Sequence, residues 1–420
     1  MKESLYTLMA IPFFLGLILV ELIYQWRKHK ELYRLNDALT NLNIGIGNII
    51  LNLLTRGLVF GLFFWVSDHI AMFHLKAGWV SVLILLIVYD FCFYWAHRFG
   101  HEVNFFWGAH VVHHQSEDYN LSVALRQSWI HSTIAIVFFL PIAFLGVDII
   151  SLGIAMSINS FYQFWIHTQA IKKMPKWFEF VFNTPSHHRV HHGVNPKYID
   201  KNHGGMFIIW DRLFGTFKEE EEVPTFGITT QLKSWNPVYA NTHYYISMVK
   251  DAKKMNWADR FRLIFAKPGW LPDYLGGYQA PPEIDQKNYT KFNQVGSKSQ
   301  NIYVFAQFVL ILLGASAFIY FYENLHTIFK IAGFIGLILS TVICGAIMER
   351  KNWVKYAEYF RIGLVIIGLN ALYFVHFINW FQITFIASLI IGIYCTVWFT
   401  LNTIYNTSLL HLTKKLVAKS

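Results

Sequence analysis

The chain has 420 residues, 55% hydrophobic and only 14% charged, with a formal net charge of +10. Soluble globular domains carry about 25% charged residues, so long apolar runs must explain the difference. The positive charge forms no basic tract with interleaved aromatics, which argues against a nucleic-acid partner. Cys92, Cys344 and Cys395 all lie in apolar runs, which excludes a disulfide framework or a thiolate metal motif.

In chain order, the first apolar run is Leu5 to Trp26, broken only by Glu21. It lacks a small-residue cleavage site and reads as a retained span. Arg27, Lys28, Lys30 and Arg34 follow it, and a polar connection rich in asparagine (Asn36, Asn41, Asn43, Asn48, Asn52) accompanies the second run, Ile44 to Val66. Trp79 to Ala96 is the third run, with Asp90 its one acid. Two shorter runs, Ile130 to Leu145 and Ile149 to Ile166, flank Gly146-Val147-Asp148 and read as a hairpin dipping into the membrane from one side. Residues 170 to 300 form the only long stretch without a span; its acidic run Glu219 to Glu222 reads as a solvated loop and Gln286 to Gln300 as a linker. Four more runs close the chain: Ile302 to Tyr322, Ile328 to Met348, Ile362 to Phe381 and Ile383 to Thr403. The long runs approach the roughly 20 residues that cross a bilayer core. The expected fold is therefore all-α, a polytopic helical membrane protein, with a catalytic region in 1–300 and a four-helix region in 301–420.

Lys and Arg in short loops set orientation. Arg27 to Arg34, the group Arg350, Lys351 and Lys355, and Lys414, Lys415 and Lys419 share one side if the C-terminus is cytoplasmic; the opposite loops hold only Lys76 and Lys330. Juxtamembrane lysines facing anionic headgroups account for the net charge. The expected location is the inner membrane of a bacterium or the endoplasmic reticulum of a eukaryote.

Nine of the 19 histidines form three tight clusters between residues 97 and 192: His97 and His101; His110, His113 and His114; His187, His188, His191 and His192. Steps of three and four residues put imidazoles on one helix face. A carboxylate-poor, thiolate-free set suits iron, zinc or copper rather than magnesium, calcium or an iron–sulfur cluster. Eight or more ligands imply two metals, capping the spans on the cytoplasmic side. His188, His191 and His192 share a face, while His187 points about 100° from His188, although it aligns with His191, and reads as a ligand or a donor toward oxygen or substrate. His167, at the exit of the hairpin, reads as an extra ligand or a supporting group, with His203 and His131 behind it. Asp90 lies two turns before His97: it either orients a ligand imidazole or makes a buried hydrogen bond with no metal role. Glu102 reads as a supporting or proton-handling group. An iron pair would activate O2 against C–H bonds and a zinc pair would activate water. Hydrolytic sites commonly include carboxylates, so oxidation of a lipid chain is the first choice. A histidine relay for metal transport is disfavoured because the clusters lie at membrane ends, and a scaffold needs no intact ligand set.

The strings H97-R-F-G-H101, H110-V-V-H-H114 and H188-R-V-H-H192 resemble the signature of the fatty acid hydroxylase and sterol desaturase superfamily. The longer stretches S116-E-D-Y-N-L-S122, N183-T-P-S-H-H-R-V-H-H-G193 and I209-W-D-R-L-F-G-T-F217 are similar to its glyceryl-ether monooxygenases, over about residues 40 to 270. The resemblance implies a di-iron centre bound by His97, His101, His110, His113, His114, His188, His191 and His192. His187, His167 and Glu102 match family positions as well. It implies O2-dependent oxidation of the ether-bearing carbon of an alkylglycerol to fatty aldehyde and glycerol, with tetrahydrobiopterin as reductant. The electrons must come from an external donor. Hydroxylation or desaturation of a sterol or fatty acyl chain is the alternative within the superfamily.

Overall fold

The computed structural model describes the backbone of residues 2–376, 378 and 381–417, with side chains except at 2–7, 376 and 402–417. Lys414, Lys415 and Lys419, used above for orientation, lie outside the described side chains. The helices in order are α1 Lys2–Lys28, α2 Leu35–Ile70, α3 Trp79–Glu102, α4 Asn104–His114, α5 His131–Ala143, α6 Ile149–Trp165, α7 Lys176–Val181, α8 Pro185–His191, α9 Ile209–Phe214, α10 Pro237–Ala252, α11 Trp257–Phe265, α12 Lys298–Phe321, α13 Thr327–Met348, α14 Val354–His376 and α15 Phe381–Val417. Among the described residues β pairing is limited to the isolated bridges Phe182–Phe207 and Gly193–Phe226. Among the described residues seven helices are long and apolar enough to cross a bilayer, within α1 to α3 and α12 to α15. The chain is a multi-pass membrane protein. The two shorter apolar runs form α5 and α6, joined through Gly146 at φ 53°; each packs on α3, and Asp148 caps α6, its carboxylate accepting the Ser151 N–H.

The chain divides into two compact units, residues 11–233 with 238–292, and residues 1–10 with 234–237 and 293–420. In the first, α3 packs against α4, α5 and α6, and α2 packs against α5. Phe63, Leu85, Leu86, Ile142 and Leu152 fill the apolar part of that assembly. α2 departs from expectation: its asparagine-rich first half is helix rather than connection, and Asn36, Asp37, Asn41 and Asn43 are buried. These polar side chains stay inside because the segment after α4 supplies partners. Asn41 Nδ2 donates to the Asp37 carboxylate and to the hydroxyls of Ser116 and Ser122, and Asn48 Nδ2 donates to the Ser128 carbonyl. A Cβ on Gly45 would stand 2.5 Å from the Leu125 carbonyl oxygen, so glycine lets the two segments approach.

In the second unit, α14 starts at Val354 rather than at Ile362, bringing Glu358 and Arg361 into a span the sequence placed them before. They tolerate burial by satisfying one another. Arg361 donates to both oxygens of Glu358 at 2.6 and 2.7 Å and to Gln307 Oε1 at 2.6 Å, while the Tyr303 hydroxyl donates to Glu358. Removing one partner of such a pair costs about 3–5 kcal/mol, whereas apolar replacement of both is close to neutral. Arg361→Ala should lower thermal stability in detergent markedly, and the double variant Glu358→Leu/Arg361→Met should recover most of the loss.

Candidate metal centre

α3, α4 and α8 each end in histidines, and their convergence makes the site. α8 starts at Pro185, whose missing N–H is no loss at a first helical turn. Steps of four then project His188 and His192 together, as they do His97 with His101 and His110 with His114. Adjacent residues on a helix diverge by about 100°, and this splits the imidazoles into two buried groups. His97, His101, His110, His114 and His191 offer ligand nitrogens within 4.8 Å of one another, and so do His113, His167, His188 and His192. The neighbours His113 and His114 thus serve different groups, as do His191 and His192.

Backbone carbonyls fix the rings. A carbonyl only accepts, so the ring nitrogen facing it carries the proton and the other presents a lone pair. His97 Nδ1 donates to the His203 carbonyl at 2.7 Å, His113 Nδ1 to Arg126 at 3.0 Å, His167 Nδ1 to Gln163 at 2.7 Å and His191 Nδ1 to Lys201 at 2.9 Å. His101 Nδ1 faces the Asp200 carboxylate at 3.4 Å. The Nε2 atoms of His97, His101, His191 and His192 are buried without a protein partner. Others crowd together: His167 Nε2 lies 3.1 Å from His113 Nε2 and 2.9 Å from His188 Nε2, and His114 Nε2 lies 3.1 Å from His110 Nε2. With both Nδ1 protons committed to carbonyls, the His113–His167 approach sets one lone pair against another. A shared cation resolves that repulsion, and the donor set fits iron or another imidazole-preferring metal.

Burial, reinforced by neighbouring imidazoles, pushes His110, His113, His114, His188, His191 and His192 well below the usual imidazole range. Burial brings His167 down to about 4. All remain neutral ligands at physiological pH, which is the state a metal needs.

The remaining candidates lie outside both groups. His187 packs its ring 5.4 Å from that of Phe217, and its carbonyl accepts from Asn202. Of the two roles open to Asp90, the structure has the buried hydrogen bond: it accepts from Asn159 Nδ2, the backbone N–H of Met206 and Phe207, and Trp210 Nε1 at 2.6 to 3.0 Å, and from no imidazole. It holds the 205–210 segment to α3. Glu102 is half-buried and accepts from Arg98 Nε at 3.0 Å. His131 stands 5.6 Å from His110, ring to ring.

Beside the candidate His203, the site uses residues to which the sequence reading gave no role. Asp200 and Asn202 adopt φ of 55° and 56°, and between and after them the Lys201 and His203 carbonyls take the protons of His191 and His97. Asn202 pins this loop to His187 and Lys218, and Asp211 accepts the N–H of His203 and Gly204. The His203 ring is itself fully buried, 5.0 Å from that of His101, with neither nitrogen hydrogen-bonded to protein.

The fatty acid hydroxylase family model matches residues 82–216, which hold all three clusters. The alkylglycerol monooxygenase of Homo sapiens is 38% identical over 73% of this chain and 69% of its own length. That of Caenorhabditis elegans is 31% identical over 83% of this chain and 73% of its own length. An ornithine lipid hydroxylase of Rhizobium tropici is 27% identical over 33% of this chain and 41% of its own length. No solved structure matches.

The two-group geometry predicts separable metal loss. By elemental analysis of purified protein, His191→Ala should lose the metal of the five-histidine group and His192→Ala that of the other, while His187→Ala keeps both. Asp200→Ala, which frees His101 Nδ1, should weaken metal retention about tenfold in chelator titrations.

Proposed function

This chain belongs to the fatty acid hydroxylase family, and from that premise we propose that its histidine groups hold two irons and that it cleaves the ether bond of membrane alkylglycerols. The observation that carries the reading is the pair of adjoining, nearly pure imidazole groups. Such an iron pair supplies O2 activation against an unactivated C–H bond. The enzyme is an oxidoreductase, and a lipid and O2 are the co-substrates that fit it.

The chain's own residues do the rest. The carbonyls of Arg126, Gln163, Lys201 and His203 keep Nδ1 protonated and aim Nε2 inward, so ligand geometry needs no rearrangement on loading. Near-complete burial of both groups keeps bulk water away from the oxidising site. The ligands in this reading are the nine grouped histidines. His187 serves beside substrate, Asp90 positions the 205–210 segment, and Glu102, next to His101 and half-buried against Arg98, handles protons. One atom of O2 enters the ether-bearing carbon as hydroxyl and the other leaves as water, with two electrons and two protons from an external donor. The resulting hemiacetal breaks its C–O bond to give fatty aldehyde and glycerol. Tetrahydrobiopterin is the proposed donor, residues 1–300 the catalytic region, and the cytoplasmic side the location of the site.

The similarity to an ornithine lipid hydroxylase favours one second reading, in which a hydroxyl or a new double bond stays on a fatty acyl or sterol substrate. Purified protein supplied with an alkylglycerol, tetrahydrobiopterin and O2 should contain iron, consume O2 and release a long-chain aldehyde, detected by mass spectrometry. A retained hydroxyl or double bond moves the assignment to the second reading, and tightly held zinc without O2 uptake overturns both. His113→Ala should abolish turnover and leave membrane insertion intact.

A further inference from the structure

α11 is too short to span a bilayer, yet it turns large aromatics outward. Trp257, Phe261 and Phe265, spaced by four, are 79, 67 and 60% exposed, while Leu263 on the opposite face is buried. One stripe of an amphipathic helix is therefore packed on the protein and the other has no protein against it. On α10, Ile246 and Val249 are exposed as well.

The packed side fixes the level of this surface. The Ala266 carbonyl accepts the Asn104 N–H at 2.8 Å and the Leu263 carbonyl accepts from Asn104 Nδ2 at 3.0 Å. From α10, the Tyr244 hydroxyl donates to Asn104 Oδ1 and the Tyr245 hydroxyl to the Phe105 carbonyl at 3.0 Å. Asn104 lies two residues past the end of α3, a membrane span. The outward aromatics thus ride where that span leaves the bilayer, the depth at which tryptophan and other amphipathic side chains settle.

Charge points to the occupant. Residues 250–267 hold six basic side chains (Lys250, Lys253, Lys254, Arg260, Arg262, Lys267) against the two acids Asp251 and Asp259, a basic stretch with interleaved aromatics that corrects the sequence reading, which found none. Arg260 lies 4.6 Å from the Trp257 ring, so cation and aromatic share one edge of the helix. Aromatics flanked by cations are the arrangement of an interfacial helix on an anionic leaflet. We propose that α11, with the end of α10, is an in-plane anchor seated among the anionic headgroups of the leaflet at the α3 exit. It fixes the depth of α4, whose histidines begin six residues beyond Asn104. The proposal is independent of the substrate chosen above.

The test uses the full chain in vesicles of phosphatidylcholine with phosphatidylglycerol. The three native cysteines are buried, so a nitroxide on Phe261→Cys is selective. Collisions with O2 should exceed those with an aqueous nickel chelate severalfold at 261, and the ratio should drop in phosphatidylcholine alone. A label on Val223→Cys, 84% exposed in a loop, should show the reverse preference in both vesicles. Phe265→Cys, one turn on, gives the same reading if Phe261→Cys fails to insert. Nickel access at 261 equal to that at 223, or a ratio indifferent to the anionic lipid, overturns the proposal. Spin–spin broadening at 261 that vanishes on dilution with unlabelled protein also overturns it, in favour of a second copy of this chain as the occupant.

Discussion

A neutral imidazole carries one proton between two nitrogens, and where that proton goes decides whether the ring can serve a cation. In His97, His113, His167 and His191 a backbone carbonyl takes it from Nδ1, and the Asp200 carboxylate faces His101 Nδ1 at 3.4 Å. Everything else in the centre depends on this. Without the carbonyl of Arg126 or Lys201 in place, His113 or His191 could turn its N–H inward and repel a cation instead of binding it. The histidines supply the chemistry, and the backbone around them selects the tautomer.

Those carbonyls must then be held still, which explains buried polar groups far from any ligand nitrogen. Asp211 takes the N–H groups of His203 and Gly204, and Asp90 takes those of Met206 and Phe207, so two carboxylates tie one loop down over five residues. Arg126 is buried with its guanidinium on the Val112 carbonyl, Asn41 and Gln115, which locks the carbonyl that serves His113. Desolvation pulls this arginine down to about 10, the acids Asp37 and Glu117 acting against the shift. A buried cation bonded through each of its three nitrogens stays where it is, at the cost of its lost hydration.

Much of this was legible in the sequence. The spans follow from runs of apolar residues, because a bilayer tests each segment separately. The helical step of three or four marked the clustered histidines as ligands. But it put His188, His191 and His192 on one face, where the structure sends His191 to the other group, and it left His187 a candidate ligand, which neither group includes. The tertiary part was not legible. The division of His113 from His114, and of His191 from His192, depends on which helix faces which. Carbonyl groups at 126, 163, 201 and 203 carry no side-chain signature, so nothing in the residue types marks them. Glu358 and Arg361 hid a span boundary because two charges that cancel inside the membrane look, one at a time, like two reasons to leave it. The asparagines of α2 misled for the same reason: their partners lie 75 to 81 residues away.

The interleaving of neighbouring histidines has a mechanical consequence. α8 and α4 each lend adjacent side chains to both groups, so neither helix can turn about its axis to improve one group without spoiling the other. A cation seated among His113, His167, His188 and His192 holds α8 and α4 in register, and that register is what His191, His110 and His114 need. The first ion to arrive therefore lowers the ordering entropy left for the second. Loading of the intact centre should therefore be cooperative, and a variant that has lost one group should hold its remaining ion more weakly than the intact pair does.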